Sequence, residues 1–424
     1  MQPARSSLRV VAALLVGAAL AVSCSSLLHF SSDYSHKATR PESHSLQIAR
    51  GDTLRLTVES GDVNVTTALG EAHVEALVTA WSESDEQAQQ LLDERDFVIE
   101  RSGNVVELRL DEEAFVGWRE GRLEVDLEIT IPAGVSVDVG SDNGTIEIHG
   151  EAGVVADVIA RSGFGDVSVS GVEGDVDATS SAGRVVLAEV AGERVLAETS
   201  FGSVRVTGVQ GDHVRVVSSS GKVTLHDATG GTLIARTSFG DVDVRRIEGN
   251  LTAETSSGSV TVEQAGSGEL HLATDFGSID VSGGAGSLKA RSSSGRIDVD
   301  GFSGTLEAVT SYGRVDVAGR FDVVTASSSS GAVAVRAEAG STMAADWDVS
   351  SDFGSVVITL PADLAFALQA RTGWGAIDSD FDVLVAAGAH SDKRLSGSVN
   401  GGGPVLRVGA SSGDVDIRKL SAGR

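Results

Sequence analysis

A glycine recurs through the middle of this chain at nearly constant spacing, and each one opens the same word. Glycine is followed by any residue, then Val or Ile, any residue, and Val, Ile or Leu. The series runs Gly144, Gly165, Gly183, Gly202, Gly221, Gly240, Gly258, Gly277, Gly295, Gly313 and Gly331, at intervals of 18 or 19 residues after a first of 21. Looser members are Gly61, Gly354, Gly375 and Gly413. A fixed period of this length is the signature of a solenoid, whose units bury their apolar faces only by stacking on one another.

The alternation after each glycine reads as a strand with one face inward. A second short strand precedes each glycine, as in Leu251, Ala253 and Thr255 before Gly258, or Leu306, Ala308 and Thr310 before Gly313. Each unit is therefore strand, tight glycine turn, strand, and a looser turn holding glycines such as Gly249, Gly268 or Gly304. Glycine is expected at these corners because it alone takes positive φ freely. The inward set per unit is three aliphatic residues, one Ala and one Ser or Thr. The expected fold is all-β: a parallel β-solenoid of 18–19-residue two-strand units, with equivalent strands about 4.8 Å apart.

A longer period overlies this one. Phe164, Phe201, Phe239, Phe276 and Tyr312 precede alternate glycines, and Ala182, Ser220, Ser257, Ser294 and Ser330 precede those between. The alternation favours two units, about 37 residues, per turn, with aromatics stacked on aromatics. The alternative is a thinner coil of one unit per turn. Counted with inward parity, the corner aromatics belong to the core.

The flanks depart from the repeat. Residues 46–143 carry longer apolar alternations, such as Leu127-Glu128-Ile129-Thr130-Ile131. They also hold one helix-like stretch, Ser84 to Arg95, with Ser84 placed to cap it. This region is expected to cap the first rung, 144–341 to form the regular solenoid, and 342–424 to hold degenerate repeats and a C-terminal cap, because an open end would be an edge for aggregation. Residues 24–45 are polar and read as a tether beginning at Cys24.

Ahead of the tether, Arg5 and Arg9 precede an almost wholly apolar run, Val10 to Val22, ending Leu20-Ala21-Val22-Ser23-Cys24. The run is too short for an ordinary membrane span and right for a signal peptide, here residues 1–23. Its end resembles a bacterial lipobox, and Cys24 is the only cysteine in the chain. The resemblance implies acylation of Cys24 and a membrane anchor. Ser25 in place of Asp implies the outer membrane where the cell has one.

The repeat pattern resembles the bacterial "putative adhesin" β-strand-repeat domain family, of undefined function. The likeness rests on Glu59-Ser60-Gly61-Asp62-Val63-Asn64-Val65, Ile129-Thr130-Ile131-Pro132-Ala133-Gly134, the Ser-Ser-Gly-x-Val-x-Val rungs, and Ser411-Ser412-Gly413-Asp414-Val415-Asp416-Ile417. It covers roughly residues 46–424 and implies a fold, with no catalytic residues to carry over.

The remaining chemistry is sparse. With 33 basic and 60 acidic residues the net charge is −27 and no basic stripe stands out, which disfavours nucleic acid. One cysteine excludes an internal disulfide. Gly409-Ala410-Ser411-Ser412-Gly413 has the letters of a nucleophile elbow, but it lies in a β-rung with no later His. No His pair has metal-ligand spacing, and no cofactor or metal is expected. Asp280, Asp298 and Asp316 hold one outward position in three successive units beside Arg296 and Arg314, and are the weak candidates for a cation site. Paired, solvated charges are the simpler reading. The expectation is a non-enzymatic, lipid-anchored envelope protein whose solenoid wall meets an envelope protein or glycan. The alternatives are a polysaccharide-active β-helix enzyme and an accessory module of envelope-stress signalling.

Overall fold

The structure, a computed structural model, describes residues 34–110, 121–151, 153–385 and 390–421. Cys24 and the apolar run before it lie outside the described residues. The described residues are 64% strand and 2% helix, wound into a parallel β-solenoid of about 12 turns.

Each turn holds one unit. Leu251 pairs with Leu270, 19 residues on, and Val242 pairs with Val260, 18 on. The same register runs from Val158 opposite Val176 to Val315 opposite Val333. The two-unit turn suggested by the aromatic alternation is therefore wrong. Equivalent strands must pair at the β spacing, and an interior built from Ala and Ser or Thr suits the thinner coil.

In the turn around Gly258, Leu251, Ala253 and Thr255 point inward from the first wall, and Val260 and Val262 from the second. The chain then kinks into the left-handed region at Gln264 and turns Ala265 inward. The kink recurs at Gly171, Glu189, Gly208, Asp227, Arg246, Gly283 and Gly301. It creates a short third side whose inward residues include Val172, Val190, Val209, Ile247 and Phe302, all buried. Packing there is complementary between rungs. Gly284 lies opposite Phe302, and a Cβ on Gly284 would sit 3.3 Å from that ring.

The glycine corner works differently from the expectation. The regular corner glycines from Gly144 to Gly331 are not in the left-handed region; positive φ occurs instead at the looser turns, such as Gly249 and Gly304. What the corner needs is the absence of a Cβ. From Gly144 through Gly331, and at Gly354, Gly413 and Gly375, a Cβ would lie 1.6–2.3 Å from the carbonyl oxygen of the glycine one rung away.

Neither the first nor the last full rung in chain order forms an end of the stack. The first full rung, Thr53–Ser60 and Val63–Thr67, sits between the rung of Val105–Leu110 and Arg122–Ile131 and that of Ser136–Asn143 and Ile146–His149. The last, Val405–Ala410 and Val415–Lys419, slots between the rung of Trp347–Ser351 and Val356–Leu360 and that of Phe366–Thr372 and Ile377–Ser379. Antiparallel strands cover the outer rungs: Phe97–Ser102 and His73–Ser82 at one end, Arg394–Val399 at the other. The one helix among the described residues, α1 (Asp85–Asp93), is capped by Ser84, whose hydroxyl accepts from Gln87 N–H.

The tether reading fails over its second half. His36–Ser45 is a strand, antiparallel to His73–Ser82 through ten residues. Its sequence shows no apolar period because polar contacts hold it. The Arg40 guanidinium donates to the carbonyls of Leu92 and Arg95, the last of α1 and the turn after it, and His44 stacks on Phe97 at 5.5 Å.

The glycine stack yields a prediction. Gly258→Ala, whose Cβ would lie 1.9 Å from Gly240 O, should cost about 3 kcal/mol or more, since only backbone is there to yield. Gly208→Ala, at φ +68 with nothing nearer than 3.7 Å, should cost roughly 1–2 kcal/mol. Urea denaturation of both variants checks the order. The reverse order would show that dihedral strain rules the corner.

Candidate functional site: an exposed aromatic edge

The corner is built by hydroxyls. Three residues before each corner glycine from Gly144 to Gly375 stands a buried Ser or Thr; before Gly413 the place is taken by Ala410. Ser180 Oγ donates to Gly165 O on the neighbouring rung at 2.8 Å and accepts from Gly183 N–H at 2.8 Å. The same clamp recurs at Ser162, Ser218, Thr255, Ser328, Ser351 and Thr372, among others. These inward hydroxyls are therefore paired in a core that would otherwise penalise them.

The clamp fixes which way the next residues point. The residue just before each glycine faces solvent. Phe164, Phe201, Phe239, Phe276 and Tyr312 are 67–73% exposed, which overturns their assignment to the core. Phe353 and Trp374, at 71% and 85%, complete the row. The signal missed in the sequence is their position before Gly354 and Gly375. Ala182, Ser220, Ser257, Ser294, Ser330 and Ser412 occupy the rungs between and are exposed as well.

The alternation follows space and ignores chain order. Phe353 and Trp374 are 21 residues apart with no small-residue rung between them in the sequence. The inserted last rung supplies it: Gly413 stacks on Gly354, Gly375 stacks on Gly413, and Ser412 falls between the two rings. Seven aromatics thus stand on every second rung of one edge, about 9.6 Å apart over roughly 58 Å. The edge is almost uncharged overall. Its residues adjoining the corner glycines from Gly165 to Gly413 include four cations (Arg184, Lys222, Arg296, Arg314) and five carboxylates (Asp166, Asp241, Asp275, Asp352, Asp414), in a chain of net charge −27.

The outer walls carry an excess of carboxylates, some of them paired across rungs. Asp280, Asp298 and Asp316 lie opposite one another on three successive rungs. Arg296 Nη2 stands between the first two, 3.1 Å from Asp280 Oδ1 and 3.4 Å from Asp298 Oδ2, and Arg314 pairs with Asp316. Hydrogen bonding to Asp280 and the nearby carboxylates raise the Arg296 pKa. Among the described residues, no three of His, Cys, Asp and Glu converge as a metal site. Ser411 and Ser412 occupy a β-corner, their N–H groups donating to Ser351 O and Asp352 O, in place of the strand-to-helix turn a nucleophile elbow needs.

The most heavily partnered carboxylate is Asp243. It points outward but its side chain is only 13% exposed, beneath Arg245 Nε at 2.8 Å, Lys222 Nζ at 3.0 Å and His226 Nε2 at 3.3 Å. Burial pushes its pKa up, but hydrogen bonds from Arg245, Lys222 and His226 outweigh burial and hold it at about 2. The depressed folded value means its contribution is complete above the unfolded pKa near 3.8 and is lost as pH falls toward about 2. Asp243→Asn should therefore cost about 1–2 kcal/mol at pH 7, after allowance for solvent screening. Melting curves between pH 5 and pH 2, as an approximate span around that window, should converge for the variant and the unmodified protein. A constant gap across that range would contradict the assignment.

Comparison with known proteins places this geometry in a family. The Toastrack DUF4097 family model matches residues 52–282 and 231–418. Among solved structures, a putative cell adhesion protein from Clostridium sporogenes is 8% identical, over 90% of this chain and 100% of that one, with TM-score 0.18. A putative adhesin from Bacteroides fragilis is 10% identical, over 90% and 97%, with TM-score 0.19. A putative lipid binding protein from Parabacteroides distasonis is 12% identical, over 90% and 97%, with TM-score 0.19. At those scores the backbones do not superpose as wholes, and family membership rests on the sequence match. No curated protein matches the chain.

Proposed function

The chain belongs to the Toastrack DUF4097 family, and on that footing we propose that it is a non-enzymatic, lipid-anchored envelope protein whose solenoid presents a binding edge. The observation that carries this reading is the row of seven exposed aromatics. Large apolar side chains in a contiguous exposed array mark interaction surfaces, because leaving them in water is unfavourable. A rigid, self-stacking scaffold holds such an array at fixed spacing, as solenoids do for extended binding surfaces. The non-enzymatic part is supported by the arginines that engage the Asp280, Asp298 and Asp316 row and by the β-corner setting of Ser411 and Ser412. Membrane attachment is assigned to Cys24, the only cysteine, which follows the apolar run Val10 to Val22 in a lipobox-like setting. Two acyl signals anchor stably where one does not.

Two measurements test the reading. Radiolabelled palmitate should mark the unmodified protein and leave Cys24→Ala unlabelled; labelling that persists removes the anchor from the proposal. In the second, binding of the purified chain to isolated envelope fraction should fall by about tenfold or more in Phe201→Ser/Phe239→Ser/Phe276→Ser, as expected when several aromatic anchors are lost. Undiminished binding with unchanged melting temperature would move the binding surface elsewhere on the solenoid.

A further inference from the structure

We propose that the partner of the aromatic edge is a second copy of this chain, the two rows interlocking ring into gap. The inference rests on the reading of the edge as a binding surface and adds what binds there.

The argument starts from the period. A partner that engages seven rings over roughly 58 Å must match their repeat, because a small error per step accumulates along the row. The spacing is set by two rungs of a β-stack, and a second copy matches it without error. The profile is also complementary to itself. Each ring stands out from the edge, and each rung between carries only Ala or Ser, as at Ala182, Ser220, Ser257, Ser294, Ser330 and Ser412. Sliding one row by a single rung against another seats six of the seven rings over a small residue of the partner. Each of these rings then lies about 4.8 Å along the axis from partner rings on either side, within the 4.5–7 Å range in which aromatic pairs attract.

The chemistry of the rings agrees. Five of the seven are phenylalanine, which has no polar atom to present to a hydrated ligand and gains most from dry burial. Charge points the same way. Two copies at −27 repel wherever their acidic walls meet, but the edge, with nearly equal cations and carboxylates, lets them approach. Seven aromatics and their flanking serines also offer about the 800 Å² per partner that a stable dimer needs.

The test uses the full chain in mild detergent, with oligomeric state read by sedimentation velocity across micromolar concentrations. The unmodified protein should be a dimer. Phe201→Ser/Phe239→Ser/Phe276→Ser should weaken dimerisation by roughly 100-fold or more, since single buried aromatic anchors already cost tens-fold. The discriminating variant fills the gaps: Ser220→Phe/Ser257→Phe/Ser294→Phe. It makes the edge more apolar and also blocks the interlock, so it too should be monomeric. Melting temperatures report whether each variant folds, and both sets of substitutions fall at exposed positions. A gap-filled variant that dimerises as tightly as the unmodified protein would show mere stickiness and overturn the interlock. An unmodified protein that stays monomeric would overturn the dimer. If the phenylalanine-to-serine variant then still loses envelope binding, the edge remains a binding surface for something other than its own kind.

Discussion

The approach of one corner glycine to the next governs this molecule. Each corner carbonyl oxygen lies where the neighbouring glycine would carry its Cβ, at 1.6–2.3 Å from the ideal position. No side chain fits there, so the residue is glycine on rung after rung, and rungs cannot slip without driving a Cβ into a carbonyl. The buried Ser or Thr three residues earlier locks the arrangement by donating to that carbonyl and accepting from its own rung's glycine N–H. Corner, register and the outward aim of the following side chains all come from this contact. The aromatic edge is thus a product of packing at the backbone.

The walls were legible because their physics is local. Val242, Val244, Val260 and Val262 alternate with polar residues and are fully buried, as the period of two requires. The corner was not legible, because the alternation breaks inside it. Thr237 and Val242 both point inward although five residues separate them. Counting back from Val242 places Phe239 outside, and counting forward from Thr237 places it inside. Only the hydroxyl clamp decides between the two. The third side was hidden for a related reason: a left-handed kink at residues such as Glu189, Asp227 and Arg246 resets the alternation without a glycine to announce it. The weak candidate site was legible only as placement. The sequence put Asp280, Asp298 and Asp316 at one outward position, but the guanidinium of Arg296 lying between two of them depends on side-chain reach.

The first and last full rungs are placed one rung in from the ends of the stack. A terminal strand on the outside would have one paired edge and could fray. Here the first and last full rungs are paired on both edges, and antiparallel strands cover the stack beyond them; the outermost on one wall, His36–Ser45, is held by ten residues of pairing to His73–Ser82. Such a crossover leaves little trace in a linear sequence, with one exception. The interval from Phe353 to Trp374 lacks the small-residue rung that every earlier pair of aromatics encloses, and Ser412 fills it. A gap in a long period is therefore information about topology: it shows where the stack needs a rung that the chain delivers later.

The distribution of charge follows from the same geometry. Stacking like residues on like is favourable for Val and costly for Asp, so a solenoid with 60 acidic residues must separate or neutralise them between rungs. It does so with cross-rung pairs: Arg184 with Asp166, Arg194 with Asp175, Arg246 with Asp227, and Arg236 with Glu254. Each joins a residue to its counterpart about one turn away, so these pairs reinforce the register already fixed by the glycines. Carboxylates still outnumber the cations, and the excess must face outward. The edge is spared because its positions are taken by aromatic rings and serines, and the charges beside them, four cations and five carboxylates, nearly balance. Repulsion across the acidic walls and its absence along the edge together leave one line along which another acidic surface can come close.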